Sequence, residues 1–283
     1  MGESIAVELR GSAGPVTPLQ RAGLWFASLT GWHRYLAALL LGALAAASLP
    51  PVDMTPVLLI SFPGLVWLTD GNTGIKSAFA LGWSFGFGFF VAGLYWIAAA
   101  LFVDIAQFWW LVPFAAAGVP AGLAIFTGVA LVVSHALCRW LRLGGTERIL
   151  ALALCWSGAE WLRGHILTGF PWNLIGYAWS GAFPGAITML QLASLVGIYG
   201  LSLVTVVVAC LPARLGDFSG RRWWAVIVAV LLIALPVGWG AYRLSQGHPG
   251  NVPGIALRLV QPSIPQSLKN DPAQLLGNFR RLF

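Results

Sequence analysis

The run richest in chemically capable side chains is Glu160-Trp161-Leu162-Arg163-Gly164-His165-Ile166-Leu167-Thr168-Gly169-Phe170-Pro171-Trp172-Asn173. It closes a long apolar stretch, and ionisable groups at membrane depth are costly enough that they face a partner or a wet cavity. Glu160 and Arg163 stand three residues apart, so on a helix they share a face and can pair. One reading makes them a structural ion pair at the membrane interface. The other makes them, with Trp161, His165 and Thr168, a polar patch that contacts a lipid head group or docks a further domain. Gly169-Phe170-Pro171-Trp172 reads as a bend that sets two rings at the membrane surface, and His165 suits interfacial hydrogen bonding better than proton transfer.

The remaining reactive residue types offer less. Cys138, Cys155 and Cys210 are an odd number, lie in or beside apolar runs, and show neither metal nor disulfide spacing. His33, His135 and His248 are scattered, with no two at metal-ligand spacing. Neither a metal site nor a cofactor is expected.

Elements that would position the patch follow from composition. Of 283 residues, 58% are hydrophobic and 9% charged, with a mean hydropathy of +0.81, where a soluble chain carries roughly a quarter charged residues. The net charge of +7 does not mark a nucleic-acid binder, because the basic residues fall in short gaps between apolar runs and not on one solvated face. Crossing a hydrocarbon core takes roughly 17 to 25 residues, and seven runs are candidates: about 34–50, 55–70, 77–101, 110–138, 148–163, 186–211 and 223–243. Pro50, Pro51 and Pro56 separate the first two into a tight helical hairpin. Pro113, Gly118, Pro120 and Gly122 predict a kink in the fourth.

Cytoplasmic loops retain Lys and Arg. With the N-terminus inside, the inner segments hold Arg10, Arg21, Arg34, Lys76, Arg139, Arg142, Arg148, Arg214, Arg221 and Arg222, and the outer loops before the seventh run hold only Arg163. An odd number of crossings then carries everything after about residue 244 to the outer side. There Gln246–Gly254 reads as a linker, Ile255–Val260 as a strand, and Asp271-Pro272 as the cap of a helix running toward Phe283. One strand and one helix cannot bury a core, so this is the opening of an α/β domain.

The pattern Glu160-x-Leu162-Arg163-Gly164, Thr168-Gly169-Phe170-Pro171-Trp172 and Gly176-Tyr177 resembles the signature of bacterial apolipoprotein N-acyltransferases. Three further stretches resemble the same family in order and spacing: Gly86–Phe90 with Gly93–Ile97, Gln191–Ala193 with Gly197–Ser202, and Val260–Gln266. Together they cover nearly the whole chain. One departure is Asn270, where the family usually has a tryptophan after Ser267-Leu268-Lys269.

The resemblance implies an all-α polytopic domain of about seven transmembrane helices, followed by the first strand and helix of a truncated nitrilase-like α/β domain in the periplasm. Its divisions are a cytoplasmic segment 1–33, a membrane domain 34–244, a linker 245–254 and a nitrilase-like (carbon-nitrogen hydrolase) start at 255–283, in a monomer of the bacterial inner membrane with its N-terminus cytoplasmic. It implies transfer of an acyl chain from a phospholipid donor to the N-terminal diacylglyceryl-cysteine of a lipoprotein acceptor, without nucleic acid or cofactor. A cysteine nucleophile, a glutamate base and a lysine would do that chemistry, and all three are expected beyond Phe283. None of Cys138, Cys155, Cys210, Glu160, Lys76 or Lys269 matches them. The rival reading is a transporter or channel, in which buried charges and Gly/Pro-broken helices line a solute path.

Purified 1–283 mixed with phospholipid and a diacylated lipopeptide is therefore expected to form no triacylated product. Cys155 is mid-helix in apolar surroundings that keep a thiol protonated, and Cys138 and Cys210 lie toward the inner ends of their runs. Mass spectrometric detection of an acyl thioester on any of the three would overturn this expectation.

Overall fold

A computed structural model describes residues 16–71, 74–166, 168–217, 223–247, 254, 256–269 and 271–282. Among them all regular structure is helical. Arg10, Leu167, Arg221, Arg222, the linker residues 248–253 and Asn270 lie outside the described residues.

The chain enters through α1 (Pro18–Ser28), a helix inside the segment expected to be irregular. Thr17 caps it: the Gln20 amide donates to the Thr17 hydroxyl while the Thr17 amide donates to the Gln20 side chain, a reciprocal capping box, and Pro18 occupies the first turn. Then follow α2 (Gly31–Ala46) and α3 (Leu58–Asp70), the latter opened by a short turn, Thr55–Val57. Between α2 and α3 the expected hairpin forms, with the amides of Val52 and Asp53 on the Leu49 carbonyl and that of Met54 on the Ala47 carbonyl at 2.9 Å.

Helices α4 (Ile75–Leu94), α5 (Val119–Trp140), α6 (Gly145–Arg163), α7 (Ala193–Cys210) and α8 (Trp223–Ser245) complete the bundle. The break expected in the fourth run is a π-helical turn over Phe114–Gly118, directly after Pro113. The sixth run is divided more than its hydropathy suggests, into Ala186–Leu190 and α7, and α7 itself bends at Gly197, whose φ of 68° suits glycine.

At the centre α4 packs along both α2 and α5, while α6 lies against α5 and α7, and α3 against α2 and α7. Glycines set the spacing. A Cβ on Gly42 would stand 1.8 Å from the Phe85 carbonyl oxygen, one on Gly86 1.8 Å from the Thr127 hydroxyl, and one on Gly88 2.0 Å from the Leu39 carbonyl oxygen. Small residues of this kind let membrane helices approach backbone to backbone. The rings of Phe62, Phe85 and Trp156 fill the core below, with centroids 5.2–5.7 Å apart.

Four helical stretches are long and apolar enough to cross a membrane: Ile75–Leu94, Ile105–Trp140, Ala193–Gly216 and Trp223–Ser245. The other three expected runs are helical but fall short by that measure. At 1.5 Å per residue the 16 residues of α2 reach about 24 Å; Thr55–Asp70 is similarly short; and α6 carries Glu147, Arg148, Glu160 and Arg163.

The last segment corrects two expectations. No strand forms over Ala256–Val260, because a strand needs a neighbour to complete its backbone hydrogen bonds and none is present among the described residues. The helix expected from Asp271-Pro272 begins only at Leu275 and runs to Arg280. Asp271 instead closes a turn, its carboxylate accepting from the Ala273 amide at 2.9 Å and its carbonyl from the Gln274 amide at 3.0 Å.

Candidate functional site

The two ends of α6 differ in chemistry. At its start Arg148 pairs with Asp70, and Arg214, which pairs with Asp217, lies beside Gly145. The Arg34 guanidinium reaches the same end, donating to the Leu68 carbonyl at 2.8 Å. The basic residues expected on one face of the membrane are thus gathered at one end of the bundle, and Glu160 and Arg163 close α6 at the other.

Glu160 and Arg163 are nearly fully buried, at 2% and 4% exposure. They form no ion pair with each other. Glu160 Oε1 accepts from the Trp156 indole N–H and from the Ile175 amide, both at 3.0 Å. Arg163 Nη2 donates to the Trp172 carbonyl at 2.5 Å, and the guanidinium carbon sits 4.8 Å above the Phe90 ring, a cation–π distance. A shared helical face brings the two side chains near; the returning loop decides what they bind. Both grip the backbone of 172–175, the segment that folds back over the bundle end. Leu174, Ile175 and Ala178 are completely buried there.

Further groups secure the same loop. The Gly176 amide donates to the Ser202 hydroxyl at 2.9 Å, the Trp179 indole to Thr205 at 2.8 Å, and Thr55 to the Ala178 carbonyl at 2.6 Å. Close clearances complete it. A Cβ on Gly93 would stand 2.0 Å from the Asn173 side-chain nitrogen, and one on Gly164 2.1 Å from the Tyr199 hydroxyl. Three stretches that looked separate in sequence therefore meet here: Gly86–Ile97 through Phe90 and Gly93, Gly197–Ser202 through Tyr199 and Ser202, and the loop itself.

The remaining residues of the expected patch divide by exposure. Trp161 (51%) and Phe170 (49%) are open, as are His165 and Thr168, while Pro171 and Trp172 are half-buried. The His165 ring stacks on Trp161 with centroids 4.6 Å apart and its Nδ1 lies 2.7 Å from the Trp161 carbonyl. Phe170 and Trp172 adjoin at 4.4 Å, but Trp172 leans on the core, so one ring of the bend faces outward and one faces in. The bend turns at Gly169, whose φ is 66°. Sequence reasoning missed Phe90, Trp156, Ile175 and Ser202 as partners. Their presence in or beside the motif stretches is the signal that points to them.

This convergence of motifs on one loop is matched by comparison with known proteins. Residues 41–211 fit the family described as the apolipoprotein N-acyltransferase N-terminal domain. The chain belongs to the apolipoprotein N-acyltransferase family. Proteins named apolipoprotein N-acyltransferase from Bradyrhizobium diazoefficiens, Brucella suis and Allorhizobium ampelinum are 47%, 43% and 42% identical to it over 248, 267 and 262 residues. Those alignments cover 84%, 90% and 89% of this chain and 44%, 48% and 48% of the relatives. The chain spans about half the length of the curated relatives it matches. The family match encloses α3 to α6 and most of α2 and α7, with the whole of the loop that Glu160 and Arg163 hold.

Proposed function

We propose that the chain is the membrane portion of an enzyme that transfers a fatty acyl chain from a phospholipid to the N-terminal diacylglyceryl-cysteine of lipoproteins. The observation that carries this reading is the family match over 41–211, which takes in the helices and the clamped loop together. On this reading the membrane domain is 34–244 and crosses the bacterial inner membrane seven times, the short α2 and α3 forming a hairpin pair. The segment 1–33 is cytoplasmic, and 245–254 links to a periplasmic nitrilase-like domain opening at 255–283. The transporter alternative gains no support from the family.

At the outer end of α6, Trp161, His165, Thr168 and Phe170 would meet the lipid head group or the periplasmic domain. Glu160, Arg163, Pro171 and Trp172 would hold the bend that presents them.

The test is a chimaera in which residues 34–244 replace the corresponding part of the Bradyrhizobium diazoefficiens relative. Mass spectrometry of lipoproteins from cells that depend on it should find triacylated N-termini. A chimaera that inserts normally yet leaves lipoproteins diacylated would overturn the proposal.

Topology has its own measurement. Alkaline phosphatase, active only in the periplasm, should be active when fused after Gly247 and inactive after Gly216. The reverse pattern would overturn the orientation.

A further inference from the structure

At the basic end of the bundle a cavity of about 270 Å³ opens between α3, α5 and α6, far along α6 from the clamped loop. Its polar wall comprises Thr69, Asp70, Ser134, His135, Arg139 and Arg148. Arg148 grips Asp70 through both terminal nitrogens, the second at 3.2 Å, so the only carboxylate lining the cavity is already engaged. Two nitrogens in the wall, Nε of Arg148 and Nε2 of His135, are buried without a hydrogen-bond partner. A buried polar group left in that state costs about 1–3 kcal/mol, and such groups point to a bound species.

Charge selects the kind of species. Arg139 and Arg148 outweigh Asp70, so an anion is favoured over a cation. Guanidinium groups present a planar fork of donors that matches phosphate oxygens, and basic pockets between the ends of transmembrane helices are where anionic head groups lodge. We infer that the cavity binds a phosphate group, held by Arg139, Arg148 and His135, carried either by an anionic lipid or by a soluble phosphate ester. The membrane orientation proposed above bears on this only in naming the inner leaflet or the cytoplasm as the source.

The chain in detergent micelles is titrated with phosphatidylglycerol, with phosphatidylcholine of the same acyl chains, and with glycerol 1-phosphate. Native mass spectrometry reads retention, and thermal unfolding reads protection. Phosphatidylglycerol should be retained over phosphatidylcholine if the source is a lipid. Protection by glycerol 1-phosphate at equal phosphate concentration would identify the soluble ester instead. In both cases Asp70→Asn with Arg148→Gln, which keeps a neutral hydrogen-bonded pair, should weaken binding by about tenfold or more, as should Arg139→Gln alone. The second variant alters an exposed side chain and decides the matter if the first fails to fold. Equal retention of the two lipids with no protection by the ester, or binding unchanged in Arg139→Gln, would overturn the inference. Binding in detergent does not depend on sidedness, so a reversed fusion pattern leaves this result standing.

Discussion

Gly42→Ala, Gly86→Ala and Gly88→Ala are each expected to destabilise the bundle by about 3 kcal/mol, the upper part of the range for overpacking a close-packed interior. The reason is what each added carbon would meet. For Gly42 and Gly88 it is the backbone carbonyl of a neighbouring helix, at 1.8 and 2.0 Å. A side chain can rotate away; a carbonyl in the middle of a helix cannot. Separation of α4 from α2 would open the core around Phe85, Phe89 and Phe90, which are nearly or fully buried. Gly86 is the milder case by geometry, since its obstacle is the Thr127 hydroxyl, but that hydroxyl also donates to the Gly82 carbonyl at 2.9 Å and is not free to turn. Gly122→Ala and Gly158→Ala are the internal controls. Both glycines lie in helices with nothing within 4 Å of the added carbon, so alanine should be neutral or stabilising by up to about 1 kcal/mol through helix propensity. Thermal unfolding in detergent separates the two groups. Equal midpoints for Gly42→Ala and Gly122→Ala would show that clearance between α2 and α4 does not limit stability.

Those glycines also mark where the sequence could be read and where it could not. Apolar length located all seven helical runs, because burying a hydrogen-bonded backbone in an apolar setting demands helices whatever their tertiary contacts. Basic residues sorted to one end for a local reason too, each being tied to its own loop. Gly86, Gly88 and Gly93 were visible as part of a motif, but their work lies across a helix interface, and which residue stands opposite is a property of the packing. The same gap explains Glu160 and Arg163. Their spacing of three predicts a shared face and a mutual pair, and the shared face is real. The partners that displaced the pair, the Ile175 amide and the Trp172 carbonyl, are backbone groups that any sequence would supply, so no side-chain type announces them. At the C-terminus, alternation in Ile255–Val260 describes a residue pattern suited to a strand, but pairing requires a second strand, and composition alone cannot provide that neighbour. The capping box at Thr17 and Gln20 was legible and was masked by the glycines and prolines before it.

Glu160→Ala is expected to cost about 3 kcal/mol and to release the loop from the end of α6. The change strips the acceptor from two buried donors, the Trp156 indole and the Ile175 amide, and each orphaned donor costs about 1–3 kcal/mol. Glu160→Gln keeps an oxygen in the same place and removes a buried negative charge, so its cost should stay below about 1 kcal/mol. Limited proteolysis within 168–180, with thermal unfolding alongside, measures both. Arg163→Met should fall between them, losing the bond to the Trp172 carbonyl and the contact with Phe90. In an enzyme completed by its periplasmic half, acyl transfer should follow loop integrity: near normal in Glu160→Gln and reduced by about tenfold or more in Glu160→Ala, equivalent to roughly 1.4 kcal/mol of transition-state stabilisation. Trp161→Ala and Phe170→Ala should behave differently. Their rings are half exposed and clamp nothing, so transfer should fall while proteolysis and unfolding stay unchanged. If Glu160→Gln folds normally yet loses transfer, the carboxylate charge itself acts on substrate or docking partner, and its place as a positioning residue would have to be given up.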